Sequence, residues 1–132
     1  MENLENIKEI GSRFSRGILK CLEIIQQYNI PDLSYIILFG SCARGKMVGS
    51  SDIDIAIVTR RSFDDDVIRG RISGRFELLP EDLDADVVFL DEETYLYGQR
   101  MLHQDIRMDG VILWKEGEFT NVYKQLLINS KK

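Results

Sequence analysis

The chain has 132 residues, 44% of them hydrophobic, with 17 Lys and Arg against 22 Asp and Glu, one His and two Cys. That length suits one domain and that apolar share can fill a core, which excludes a disordered chain and a disulfide-stapled miniature. The net charge of −5 argues against a basic nucleic-acid coat, so nucleic acid is not expected as a direct ligand.

The opening Met1-Glu2-Asn3-Leu4-Glu5 is acidic where a secretory signal would be basic and then apolar. From Leu4 to Tyr28, apolar residues at Leu4, Ile7, Ile10, Phe14, Ile18, Leu22 and Ile25 describe one face of a helix. Gly11 and Gly17 weaken that helix and mark a bend, and Asn29 to Asp32, with Pro31, ends it. Tyr35-Ile36-Ile37-Leu38-Phe39 then reads as a strand buried on both faces. It is the longest unbroken apolar run, far short of the roughly 18 residues of a membrane span. The widely separated Cys21 and Cys42 suit a reducing compartment. A cytoplasmic protein with no membrane association is expected.

After a connection containing Gly45 and Gly49, Asp52-Ile53-Asp54-Ile55-Ala56-Ile57 alternates with period two, as a strand does. Residues Ser62 to Phe76 predict a helix with Ser62 as N-cap. Ala85 to Leu90 predict a third strand, Glu92 to Arg107 a helix closing near Asp109-Gly110, Val111 to Trp114 a fourth strand, and Phe119 to Ile128 a last helix. The fold class is therefore α/β, or α+β in some schemes: a mixed sheet of about four strands flanked by helices.

The chemistry concentrates in Phe39-Gly40-Ser41-Cys42-Ala43-Arg44-Gly45 followed by Ser51-Asp52-Ile53-Asp54-Ile55-Ala56-Ile57. Alternation puts Asp52 and Asp54 on one strand face, their Cα atoms roughly 7 Å apart. Two parallel carboxylates repel each other, and a divalent metal between them removes that penalty. Oxygen ligands of this kind suit Mg²⁺, which completes its shell from water and phosphates; Mn²⁺ is accepted by the same donors. Gly40 at a strand end leaves the backbone open to close approach, and Ser41 adds a hydroxyl. Turn N–H groups attract phosphate oxygens, and Arg44 and Lys46 add positive charge. Taken alone, Asp-x-Asp or Gly-Ser is a common solvated feature. In this order, with ten residues between Ser41 and Asp52, they form a site for metal-assisted phosphoryl or nucleotidyl transfer.

The arrangement resembles the DNA polymerase β-like nucleotidyltransferase superfamily, whose signature is a hydrophobic residue, Gly, Gly or Ser, a spacer, then Asp-h-[Asp/Glu]-h. More narrowly, GSCARG followed by SDIDIAI is similar to minimal nucleotidyltransferase (MNT) domains. The resemblance implies one such domain over residues 1–132, with a core of about 15–115, in the nucleotidyltransferase fold. It implies two Mg²⁺ ions held by Asp52, Asp54 and a third carboxylate on a later strand, and ATP as nucleotide substrate gripped by Gly40, Ser41 and Arg44. Asp86, before Val87-Val88-Phe89, matches the family's third position; Asp84 is the rival, since it shares that face but falls at the mouth of the strand. Cys42 departs from the pattern, standing where minimal members often carry an arginine or a larger side chain.

Larger members of the superfamily add a helical domain for base or acceptor. Here the residues after Ala56 are all needed to finish the sheet and its cover, so a second copy or another protein is expected to complete the cleft. Minimal domains of this type resemble the antitoxin of HEPN–MNT pairs, which implies AMP transfer to a tyrosine of a HEPN-type partner. The alternatives are transfer to a small molecule such as an aminoglycoside, and an antitoxin that neutralises its partner by binding alone.

Other candidates weigh less. His103 reads as a surface or packing residue. Arg60, Arg61, Arg69, Arg71 and Arg75, interrupted by Asp64 to Asp66, read as a solvated face, with a phosphate, RNA or acidic partner as the competing reading. Trp114, Tyr95, Tyr97 and Tyr123 could stack on a base but read first as core or interface.

Overall fold

A computed structural model describes residues 4–49 and 51–132; the acidic opening of Met1 to Asn3 lies outside them. The elements are α1 (Leu4–Lys8), α2 (Ser12–Gln26), β1 (Leu33–Phe39), α3 (Gly40–Ala43), β2 (Ile53–Thr59) and α4 (Asp66–Phe76). They continue as β3 (Ala85–Asp91), α5 (Glu92–Tyr97), α6 (Met101–Asp109), β4 (Val111–Lys115), β5 (Glu118–Phe119) and α7 (Asn121–Asn129). One sheet of five strands runs in the order β3-β2-β1-β4-β5. β2 and β3 are parallel, and the other pairings are antiparallel. The expected class holds, with one strand more than the sequence predicts.

The main core lies on one sheet face. Ile36, Leu38, Ile53, Ile55, Ile57, Val111 and Leu113 meet the buried faces of α1, α2, α4 and α7 there, among them Ile7, Ile18, Leu22, Ile72, Phe76, Val122 and Leu126. The alternate residues Ile37, Phe39, Ala56 and Val58 face the other way and pack against Ile106 of α6, with Tyr95 of α5 beside them. This is the two-sided burial of an inner strand, which is why β1 reads as an unbroken apolar run. Gly17 is buried where α2 crosses the sheet; a Cβ there would lie 2.6 Å from Leu83 Cδ1 and 2.8 Å from Ile53 Cδ1. That close approach seats the start of β2 firmly against α2.

Several predicted boundaries shift. The first helix is two helices, broken at Gly11, whose backbone is extended. The predicted helix from Glu92 to Arg107 also divides, at Gly98 to Arg100. Arg107 explains how that break is tolerated: its guanidinium donates to Tyr95 O at 2.8 Å and Gly98 O at 2.6 Å, satisfying carbonyls at the end of α5. Helix α4 is capped by Asp65, whose Oδ1 accepts from Ile68 N at 3.0 Å, rather than by Ser62. Ser62 is engaged instead with Asp91, which itself caps α5 through Thr94 N at 2.7 Å. The last helix starts at Asn121 because Phe119 belongs to a short hairpin, turned at Glu116 and Gly117 with φ of 47° and 96°. Two positive φ values in a two-residue loop match the right-handed twist of the strands.

Candidate active site

The site forms where β1 ends and β2 and β3 begin. Phe39 and Asp54 are register partners in the antiparallel β1–β2 pair, so the residue after Phe39 sits against Asp54. That residue is Gly40, with φ of 75°, and a Cβ built on it would overlap Asp54 Oδ2 and lie 3.2 Å from Cγ. Gly40 is required twice over: by its left-handed backbone and by the carboxylate that occupies the space. It also opens α3, a single turn in which Ser41 follows and Arg44 forms the C-cap, donating its N–H to Gly40 O at 3.3 Å.

Asp54 and Asp86 are Cα partners in the parallel β2–β3 pair, on neighbouring strands spaced about 4.8 Å apart. Asp54 is half-buried and Asp86 is exposed on the edge strand. Asp52 sits just before β2, which begins at Ile53, so it is a loop residue rather than the strand residue predicted. Asp52 nevertheless faces the same place, because its charge and that of Asp86 both act on Asp54. Burial first, then these two carboxylates, push the Asp54 carboxyl up to about 6, against a smaller pull from Arg44. Asp84 lies before β3, where its carbonyl accepts from Ile53 N at 2.9 Å. The register thus pairs Asp54 with Asp86.

Among the described residues, no three His, Cys, Asp or Glu side chains converge closely enough to enclose an ion as they stand. The donor set is nevertheless of the right chemistry. Asp52 and Asp86 bring negative charge to bear on Asp54, which burial already raises and Arg44 only partly offsets, and hard oxygen donors in excess negative charge suit Mg²⁺.

Arg44 is half-exposed and its Nη1 stands 3.6 Å from Asp109 Oδ2. Asp109 marks only a helix end in the sequence, and no local pattern connects it with Arg44; the packing of α6 on α3 does. Cys42 is buried beneath Asp52, its Sγ 3.7 Å from Asp52 O. Burial, then Asp54 and Asp52, push its thiol up to about 12, so it is neutral and unreactive at physiological pH.

The remaining candidates lie elsewhere. His103 packs beside Gly98, and its Nδ1 is buried without a hydrogen-bond partner. The arginines disperse: Arg69 lies over the Phe89 ring at 5.0 Å, Arg75 donates to Gln27, and Arg60 and Arg61 are exposed beyond the far end of β2. Tyr95 packs on Tyr35 at 5.6 Å and Tyr123 stacks on Phe119 at 3.9 Å. Trp114 lines a cleft of about 400 Å³ with Tyr28, Ile30 and Leu33, at the end of β1 remote from Gly40. Tyr97 alone of the four is largely exposed, at 73%.

A central strand leading into Gly-Ser, then one carboxylate just before the next strand, a second within it and a third on its parallel neighbour, is an arrangement that fits a nucleotidyltransferase. The family described as Polymerase beta, Nucleotidyltransferase matches residues 20–118, and the chain belongs to it. Within that class the chain is similar to the protein adenylyltransferase MntA of Shewanella oneidensis, with 34% identity over 86 residues. That match covers 65% of this chain and 57% of the relative, so the chain spans little more than half the length of that protein. A crystal structure of a Sulfolobus solfataricus protein assigned as a nucleotidyltransferase superposes with a TM-score of 0.54 at 26% identity, covering 82% of this chain and 86% of that one. A toxin–antitoxin crystal structure with AMP-PNP gives a TM-score of 0.52 at 26% identity, covering 89% of this chain and 84% of that one. Among the described residues, no helix is long and apolar enough to cross a membrane.

Proposed function

We propose that this protein is a metal-dependent nucleotidyltransferase that moves AMP from ATP to a tyrosine hydroxyl of a HEPN-type partner and so acts as its antitoxin. The observation that carries the chemistry is the register pairing of Asp54 with Asp86 beside the bare backbone of Gly40. The similarity to a protein adenylyltransferase and to a toxin–antitoxin pair with AMP-PNP supports the donor and the protein acceptor. Dependence on ATP supports a cytoplasmic location.

Asp52, Asp54 and Asp86 would hold two Mg²⁺ ions. When bound, the ions supply neutralisation of phosphate charge and a lowered pKa for the acceptor hydroxyl. Gly40 leaves room for phosphate oxygens to approach the backbone at the end of β1. The Ser41 hydroxyl and the Arg44 guanidinium offer donors to the phosphates beyond the α-phosphorus. The acceptor oxygen bonds to that phosphorus as the α–β phosphoanhydride bond breaks, and pyrophosphate departs with charge that Arg44 offsets. Asp86, exposed on the edge strand, would take the hydroxyl proton on a carboxylate oxygen.

Incubation with ATP labelled on the α-phosphate, Mg²⁺ and candidate acceptors, a HEPN-type protein and an aminoglycoside among them, tests the proposal. Label should appear on the partner's tyrosine, and D52N/D54N should abolish it while the protein remains folded. Label retained in D52N/D54N would overturn the site. Label on an aminoglycoside instead would favour a small-molecule acceptor, and tight partner binding with no label an antitoxin that works by occlusion.

A further inference from the structure

We infer that Asp109 is a positioning residue: its ion pair holds the Arg44 guanidinium off the Asp52, Asp54 and Asp86 carboxylates and keeps them open to a divalent cation. The inference rests on the reading that these carboxylates hold metal.

The geometry starts from α3. This one turn begins at Gly40, whose backbone lies against the Asp54 carboxylate, and ends at Arg44, whose N–H is bonded back to Gly40 O. Arg44 is therefore one helical turn from the glycine on which Asp54 rests, and carries a long, flexible side chain. A guanidinium there has two acidic destinations. Falling onto Asp54 and its neighbours, it would make forked, charge-assisted hydrogen bonds and occupy the place of a cation. The structure directs it instead to Asp109, at 3.6 Å. Asp54 still feels the Arg44 charge, as the smallest of the influences on its carboxyl.

Asp109 is held where it is by the core. Ile106, one turn earlier in α6, is buried against the second face of the sheet with Ile37 and Phe39. Gly110 follows with its N–H on Ile106 O at 3.0 Å, so close in that a Cβ would lie 2.7 Å from Ile37 Cγ2. The end of α6 is thus clamped to β1, next to the strand end that carries Gly40. Helix stability does not account for an acid at this position. A carboxylate in the last turn opposes the helix dipole, and a half-exposed ion pair contributes little to folding. What the pair does supply is the location of a guanidinium.

Mn²⁺ binding to the nucleotide-free full chain, followed by electron paramagnetic resonance, tests this without any turnover. D109N should weaken Mn²⁺ binding about tenfold, the order found for groups that orient metal ligands, with the melting temperature unchanged and with D109E close to wild type. In an R44Q background, D109N should have no further effect, because the guanidinium that would compete is gone. Equal loss in both backgrounds would mean that Asp109 acts only as a distant negative charge, and would overturn the inference, as would wild-type binding in D109N. Wild-type protein that takes up no Mn²⁺ at millimolar concentration would overturn the metal-site reading and this inference with it. D109S repeats the comparison should D109N lower the melting temperature.

Discussion

The carboxylate of Asp54 rests on the backbone of Gly40, in space that a side chain on Gly40 would fill. The contact is set by strand register, since Phe39 and Asp54 are partners across β1 and β2, and it ties the turn that opens α3 to the carboxylate cluster.

The first consequence concerns G40A. A methyl group there would displace Asp54, and alanine at φ of 75° adds about 1 kcal/mol of backbone strain. Transfer should fall by at least about a hundredfold, as displaced catalytic groups lose that much for a shift near 1 Å. Mn²⁺ binding should weaken in parallel. Adenylylation assays and metal titration check both effects, and a variant with full activity would show that Gly40 and Asp54 need not be so close.

Asp54 should cost the metal-free protein stability at neutral pH. Its folded carboxyl is raised from 3.8 to about 6, so folding favours the protonated form. That favourable contribution is complete below pH 3.8 and is lost as pH rises through about 6. D54N should therefore melt a few degrees above wild type in EDTA at pH 7.5, a shift of about 3 °C, and gain nothing at pH 4. Thermal melts at the two pH values decide it. Saturating Mg²⁺ should erase the difference by stabilising wild type alone.

Cys42 should be chemically silent despite its place in the motif. With its thiol near 12 and its side chain buried, iodoacetamide at pH 8 should label the folded protein at the rate of unfolding. Cys21, likewise buried and pushed up to about 12, should behave the same. C42A should keep transfer within about twofold and lose about 1 kcal/mol of stability from the small void. Rapid labelling of either cysteine in the folded state would contradict this.

Arg107 should matter for folding rather than for chemistry. It is half-buried and caps the end of α5 through two carbonyls, charge-assisted bonds that together are worth about 2 kcal/mol. R107A should lower the urea midpoint accordingly. R107K should recover less than half, because an ammonium cannot span both acceptors.

Local patterns made much of the molecule legible. The apolar run of β1, the alternation of β2 and the helical periodicity of α2 each depend on neighbours in sequence, and each appears in the structure close to where the pattern lies. Errors fell where a distant residue decided the outcome. Ser62 was a plausible cap until Asp91 claimed its hydroxyl. The helix after Glu92 reads as continuous because its break is supported by Arg107, which reaches the carbonyls of Tyr95 and Gly98 only once α6 has turned back on α5. The β4–β5 hairpin did carry a local signal, Glu116-Gly117, in a loop short enough to force a tight turn.

The 132-residue acidic chain carries in its own order the elements of the fold and the spacing of Gly40, Ser41, Asp52 and Asp54. Those are matters of periodicity and turn chemistry, which neighbouring residues determine. The sequence alone leaves Asp84 and Asp86 as rivals, because alternation assigns residues two apart to one face. The parallel register of β2 and β3 sets Asp86 beside Asp54. It also offered no link between Arg44 and Asp109, residues far apart in sequence that meet because α6 packs on α3. Charges interact through space, so the electrostatics of the site, including the raised Asp54 and the direction of Arg44, exist only once the sheet has brought them together.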